Sequence, residues 1–372
     1  MADVPDVSGA PDAPDLLDRY REIRDFEATP EPAGDAGPAA GPAAGPGAAP
    51  DQQRFVIQEH HATALHWDLR LEREGVLASW AVPKGIPPDP KENHLAVHTE
   101  DHPLEYLDFA GEIPEGNYGA GVMKIWDRGT YECHKWTERE VQVSFAGRRS
   151  QGRYVLFQTD GRNWMIHRMD PPADPTRLPL PTGWRPMVAQ TGGLPERAED
   201  DNWAYEILWQ GARVLTASSG GRAQITTAGG QEIGARIPEV RAIGGALGTT
   251  EVILDGVVTA ADAPTLDRRL AGAKASASVV RRLSHPARLM VFDVLWLEGH
   301  STTGLRYGDR RRLLADLRLN DPAWSVPSYH VGDGAALLET ARAQGLPGVL
   351  AKRLDSPYRL GEVSPDWRVV HG

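Results

Sequence analysis

An all-β domain followed by an α+β domain is the architecture that this 372-residue sequence predicts. Three observations predict it. Between Arg54 and Asp170 the chain runs in short alternating segments broken by Gly, Pro and Asp. A stiff connector, "PPADPTRLPLPTG", follows. Beyond the connector, strand-like runs mix with helical ones. A composition of 41% hydrophobic and 24% charged residues is that of a soluble globular chain, and the length suffices for two separate cores.

Residues 1–32 form an acidic segment in which "DLLDRYREIRDFEATPEP" carries Leu16, Leu17, Tyr20, Ile23 and Phe26 near helical spacing. The pattern predicts a helix of about three turns ending at the Thr29-Pro30 break. Residues 33–50 contain only Ala, Gly, Pro and one Asp, a composition with almost nothing to bury, and read as a linker. Over 51–170 the segments "FVIQEH", "LHWDLRL", "VLASWAV", "HLAVHTE", "GVMKIW", "GTYECH", "VQVSFAG", "RYVLFQ" and "NWMIHR" predict strands of a small barrel or sandwich. Residues 171–182 are the Pro-rich connector. The second domain, 183–372, has strand-like "YEILW", "RVLTA", "EVILDGVVTA" and "RLMVFDVLWL" and helix-like "RRRLLADLRL" and "GAALLETARAQG".

Several function classes drop out. No run approaches 18 apolar residues and the N-terminus has no basic stub before an apolar stretch, so no membrane partner is expected and a cytoplasmic location is. The single cysteine, Cys133, excludes an internal disulfide framework and any thiolate zinc cluster. The net charge of -11 is concentrated in the first 50 residues, so it neither supports nor excludes a phosphate-bearing partner.

Eight of the twelve histidines fall between residues 51 and 170. In "LHWDLRLE" the period is two: His66, Asp68, Arg70 and Glu72 share one face and Leu65, Trp67, Leu69 and Leu71 the other. The polar face could simply be solvated. It could also be a ligand set, because His66 and Asp68 project in parallel and His60 can arrive from six residues upstream. Nitrogen and carboxylate ligands without thiolate suit Mn²⁺, Zn²⁺ or Fe²⁺ with coordination positions left open. Arg70 adds a donor fork for phosphate oxygens, and downstream Lys84, Glu100, His102 and Tyr106 add a cation, a carboxylate, an imidazole and a phenol.

The stretches "FVIQEHHATALHWDLRLE", "SWAVPKGIP", "LAVHTEDHPLEY", "GEIPEGNYGAG" and "IWDRGTYE" resemble the 3′-phosphoesterase domain of bacterial ligase D, the end-joining DNA repair family, over roughly Arg54 to Asp170. The likeness extends to "IRDFEATPEP". It implies a β-barrel enzyme in a nucleoid-associated bacterial protein. Such an enzyme removes a 3′-phosphate, or a 3′-terminal ribonucleoside, from primer-template or duplex DNA ends with a divalent metal, typically manganese, alongside end-joining proteins. Carried over by position, His60, His66 and Asp68 would bind the metal, and Arg70, Lys84, His102 and Tyr106 would surround the phosphate. Gln58 and Glu100 would support them, and Arg24, Asp25 and Glu31 would come from the N-terminal segment. In that reading His102 stabilises the transition state or protonates a leaving oxygen. His94 stands where the family usually has an arginine, which implies weaker or more pH-dependent phosphate affinity.

From Gly183 onward the chain resembles the adenylation domain of ATP-dependent DNA ligases, a nucleotidyltransferase fold, through "YEILWQGAR", "VILDGVVTA", "VFDVLWLEG" and "GVLAKRLDSPYRLGEVSPDW". The charged groups of that chemistry are missing. Leu208 stands where the family has its nucleophilic lysine, Val257 and Pro347 where it has glutamates, and Val369 and His371 where it has lysines. Only Lys274 and Lys352 remain among lysines after residue 183. A degenerate domain that binds or scaffolds without sealing strands is expected, and no OB-fold is expected in the sequence as it stands. The alternative for the whole chain is a non-catalytic end-joining scaffold, and the intact His60, His66 and Asp68 set argues against it.

Overall fold

The computed structural model describes residues 16–34, 53–261, 263–272 and 286–372. Residues 35–50 of the expected linker lie outside them, as does Lys274. The chain divides into two compact units, Met1–Ala173 and Asp174–Gly372.

The first unit is a closed antiparallel barrel. Its strands are β1 (Gln53–His61), β2 (Leu65–Arg73), β3 (Val76–Val82), β4 (Asn93–His98), β5 (Gly111–Ile113), β6 (Gly121–Trp136), β7 (Glu140–Gly147), β8 (Gln151–Asp160) and β9 (Asn163–Arg168). The order β1-β2-β3-β4-β9-β8-β7-β6 closes because β1 also pairs with β6, and β5 adds to the start of β6. The two segments "GVMKIW" and "GTYECH" are one strand, and at Gly129 β7 comes so close that any Cβ there would strike the Ala146 carbonyl.

Alternation decides what fills the barrel. Trp67, Leu69 and Leu71 of β2 are fully buried with Phe55, Ile57, Trp80, Val143, Leu156 and Ile166, a packed interior of the kind eight strands can just enclose. A second apolar cluster lies on the outer face of β1–β3, where Val56 and Leu77 meet Leu17, Tyr20, Tyr106 and Met123. There a helix, α1 (Asp18–Glu22), and a single 3₁₀ turn, Leu104–Leu107, cover the sheet.

The three-turn helix expected over Leu16–Phe26 is therefore only five residues long. Tertiary contacts end it. Arg24 turns inward to buried acids, the Asp25 carbonyl accepts the turn hydrogen bonds of Ala28 and Thr29 at 3.1 Å, and the Tyr20 hydroxyl donates to the Pro32 carbonyl at 2.6 Å. The segment is a strap folded back on itself, with Tyr20 wholly buried beneath it.

The second unit is α+β with two sheets. Its strands are β10 (Val188–Thr191), β11 (Trp203–Ile207), β12 (Ala212–Ser219), β13 (Arg222–Thr227), β14 (Val252–Thr259), β15 (Arg288–Leu297), β16 (His300–Ser301), β17 (Asn320–Asp321), β18 (Trp324–Ser325), β19 (His330–Val331), β20 (Gly348–Arg353) and β21 (Val363–His371). One sheet runs β10-β21-β20-β11-β19, the other β13-β12-β14-β15-β18-β17 with β16 beside β15. Leu215, Ile253 and Phe292 of the second sheet pack with Leu350 and Trp367 of the first. Helices Tyr307–Asp316 and Gly334–Ala343 cover them. No helix of the described residues is long and apolar enough to cross a membrane.

A candidate metal centre on the outer face of the barrel

The β1–β2 register sets His60 opposite His66 and Gln58 opposite Asp68. With the apolar residues of β2 committed to the interior, these side chains stand together outside, yet Asp68 is only 6% exposed and His60 only 4%. One ligand atom from each of His60, His66 and Asp68 lies within 4.8 Å of the others. The face is polar without being solvated.

Hydrogen bonds at the far ring nitrogens orient the two imidazoles. His60 Nε2 donates to the Gly119 carbonyl at 2.9 Å, which leaves the Nδ1 lone pair facing Asp68 Oδ2 at 3.5 Å. His66 Nδ1 donates to the Ala64 carbonyl at 2.9 Å, which leaves Nε2 facing Asp68 Oδ1 at 3.5 Å. A gap of 3.5 Å is long for a hydrogen bond and suits donors arranged around an ion, and a backbone carbonyl on the other nitrogen is the usual support of a histidine ligand. This donor set of two nitrogens and a carboxylate fits a divalent cation. Burial alone would raise the Asp68 pKa, but Arg70, followed by His60 and His66, holds it well below the usual carboxylate range, so the ligand is ionised. Burial disfavours charge on His66, and the proximity of the Asp68 carboxylate outweighs it and raises its pKa.

Arg70 is buried at the next outward position. It donates from Nε to Gln58 Oε1 at 2.7 Å, from Nη1 to Ser79 Oγ at 3.0 Å and from Nη2 to Asp68 Oδ2 at 3.1 Å, and its guanidinium lies 4.8 Å from the Tyr106 ring centre. Three of five N–H groups are thus used, which leaves two for a phosphate oxygen. Gln58 is itself fixed, because its Nε2 donates to the Tyr106 and Phe109 carbonyls at 3.0 and 2.8 Å.

The strap supplies a second guanidinium. Arg24 donates from Nε to Glu31 at 2.8 Å, pairs with Glu100 at 2.9 Å and donates from Nη2 to His102 Nε2 at 3.0 Å. The other nitrogen of His102, Nδ1, donates to the Glu100 carbonyl at 2.8 Å. Its imidazole is therefore neutral, consistent with burial and the charges of Arg70 and Arg24 holding its pKa well below the ordinary value. In this arrangement Nε2 accepts a proton bond and has none to give, so the acid role expected of His102 is not available while Arg24 stays in place. Glu31 also takes the Tyr106 hydroxyl proton bond.

The structure gathers Gln58, His60, His66, Asp68, Arg70, Glu100, His102, Tyr106, Arg24 and Glu31 on this face. Lys84 is exposed in the loop after β3 and Asp25 is exposed, its carboxylate capping the Glu27 amide at 3.1 Å. His94 is buried away from water, with Nδ1 donating to the Gly85 carbonyl at 2.6 Å and Nε2 beside Glu92 at 3.3 Å. It props the loop that carries Lys84 and has no contact with the ligand set. His61 bonds Glu59 at 2.6 Å and is a bystander. Sequence reasoning missed Ser79, Tyr20, Tyr118 and the Ala64 and Gly119 carbonyls. The alternation of β3 could have placed Ser79 beside Arg70, whereas a carbonyl has no side-chain signature.

In the second unit a cavity of about 270 Å³ is lined by Leu208, Val257, Val369, Phe292, Glu206 and Arg213, among others. Lys352 is wholly buried, paired with Glu206 at 2.9 Å, with its ammonium 4.1 Å from the Phe292 ring and 4.2 Å from the Trp367 ring. Burial lowers its pKa to about 8 against the pull of Glu206. The Tyr307 hydroxyl bonds the same Glu206.

Residues 58–158 match the family described as the DNA ligase D 3′-phosphoesterase domain, and residues 186–369 the ATP-dependent DNA ligase domain. The multifunctional non-homologous end joining DNA repair protein LigD of Mycobacterium tuberculosis is 40% identical over 364 residues, 96% of this chain and 45% of that protein. The LigD of Mycolicibacterium smegmatis is 39% identical over 96% of this chain and 46% of its own. That of Pseudomonas aeruginosa is 30% identical over 94% and 46%. The chain spans under half the length of these relatives.

Proposed function

This chain belongs to the ligase D family, and we propose that its barrel is a divalent-metal phosphoesterase that clears a 3′-phosphate or a 3′-terminal ribonucleoside from DNA ends during end joining. The observation that carries the reading is the convergence of His60 Nδ1, His66 Nε2 and the Asp68 carboxylate, with both far ring nitrogens tied to backbone carbonyls. An ion held there, with manganese the expected occupant, supplies a Lewis acid to a phosphate ester.

The chain's own residues do the rest. Arg70 offers its two remaining N–H groups to phosphate oxygens, and Gln58, Ser79 and Asp68 keep it from swinging away. Arg24 brings the second positive charge from the strap, and Glu31, Glu100 and His102 hold it in place. His102 is thus a positioning residue here, with Tyr106 packed beside it at 4.7 Å between ring centres. Burial of the whole set strengthens each of these charge interactions.

The second unit binds or scaffolds without sealing strands. Leu208, Val257 and Val369 line one cavity, none of them can be adenylated or neutralise a phosphate, and Lys352 is engaged by Glu206. The test is conversion of primer-template DNA ending in a 3′-phosphate to a 3′-hydroxyl end, and loss of the terminal nucleoside from one ending in a ribonucleotide. Conversion is expected with manganese and absent with chelator, and metal-independent or absent conversion would defeat the reading.

A further inference from the structure

Tyr118 is the feature of this face that the phosphate chemistry leaves unused. It sits in the loop between β5 and β6 and is 50% exposed. A lone surface tyrosine is ordinary, but the backbone beside this one is tied to the site. The next residue, Gly119, holds His60 through its carbonyl at 2.9 Å, and Gly121 takes a positive φ of 145° against the His61 carbonyl, where no Cβ could fit. The Tyr118 ring centre lies 5.3 Å from the Arg24 guanidinium, which is also 4.1 Å from the Tyr20 ring. Glu100, the partner of Arg24, lies two residues past His98, whose amide donates to the Arg162 carbonyl at 2.8 Å. Arg162 is exposed in the turn between β8 and β9.

We propose that Tyr118 is a stacking platform for the nucleobase of the 3′-terminal nucleotide, with Arg162 taking the phosphodiester on its 5′ side. The inference rests on the phosphoesterase reading of the same site and names how that site grips its substrate. An exposed aromatic face beside cationic side chains holds any base without reading its identity, which is what an end-cleaning enzyme needs. The ring is one residue from the carbonyl that orients a metal ligand, so a nucleotide stacked on it has its terminal phosphate beside the ligand set.

The probe is an oligonucleotide with a 3′-phosphate and 2-aminopurine as its terminal base, titrated with the full chain in chelator. Fluorescence quenching is expected with the natural protein and with Tyr118→Trp, and is lost in Tyr118→Ala. With manganese, Tyr118→Ala raises KM about tenfold, and Arg162→Ala lowers the dependence of log affinity on log salt by about 0.7. Equal quenching in Tyr118→Ala, or a fall in kcat with KM unchanged, overturns the platform and leaves the ring a prop for Arg24. Tyr118-dependent quenching without phosphate release upholds the platform and overturns the phosphoesterase reading. Phosphate release without Tyr118-dependent quenching does the reverse.

Discussion

Arg24 and His102, 78 residues apart, are joined by a 3.0 Å hydrogen bond in which the guanidinium donates to the imidazole Nε2. The bond ties the N-terminal strap to the face that carries the ligand set. Arg24→Ala is expected to slow phosphate release on the order of 100-fold. Arg24→Lys is expected to fail as a substitute, since a point charge cannot hold Glu31, Glu100 and His102 at once. The barrel interior contains no strap residue, so both variants should still melt cooperatively. Single-turnover rates close to the natural protein's would remove the strap from the machinery.

Gln58→Leu tests the support of Arg70. It removes a donor from the Tyr106 and Phe109 carbonyls and leaves one buried guanidinium N–H without its partner. A loss of roughly 1–3 kcal/mol in unfolding free energy follows, with slower phosphate release. An unchanged denaturation midpoint would mean these groups find other partners.

Asp101 gives a pH signature. Burial first, then the nearby charges of Glu100 and Glu74, raise its pKa from 3.8 to about 6. The folded chain thus holds this proton more tightly than the unfolded chain. The associated stability is full below about pH 4 and is lost as pH rises through about 6. Asp101→Asn cannot ionise, so its melting temperature should exceed the natural protein's by a margin that grows from pH 4 to pH 7. A margin constant across that range would contradict the raised pKa.

Much of the barrel was legible in the sequence because period two is enforced by a filled interior. Trp67, Leu69 and Leu71 point inward, which sends His66, Asp68 and Arg70 outward together. What period two could not reveal is that the outward face is buried, since the cover comes from Tyr20 and Tyr106, distant in sequence. The helix length failed for a related reason: Arg24 is drawn inward by Glu31 and Glu100, and helical spacing carries no trace of that pull. Lys84 was expected near the phosphate as a loop cation and Asp25 from resemblance, and both are exposed. The Gly119 and Ala64 carbonyls, which fix both imidazoles, are backbone groups that only the fold can place.

Leu208→Lys tests how far the second unit has departed from nucleotidyl transfer. Val257 and Val369 line the same cavity and Lys352 is held by Glu206, so restoring the amine alone leaves the phosphates without partners. Incubation with labelled ATP and magnesium should label neither the natural protein nor the variant. Labelling of the natural protein would overturn the reading of this unit as unable to seal strands. Labelling of the variant would show that only the nucleophile was missing.

One catalytic divalent ion is expected between His60, His66 and Asp68. Its most direct test is phosphate release from a 3′-phosphorylated primer-template as manganese is added back to chelator-stripped protein, for the natural chain and for His66→Ala. Activity is expected to rise and saturate in the natural chain and to stay at background in His66→Ala at the same manganese concentrations. Equal activity in the two proteins, or full activity before any manganese is added, would contradict it.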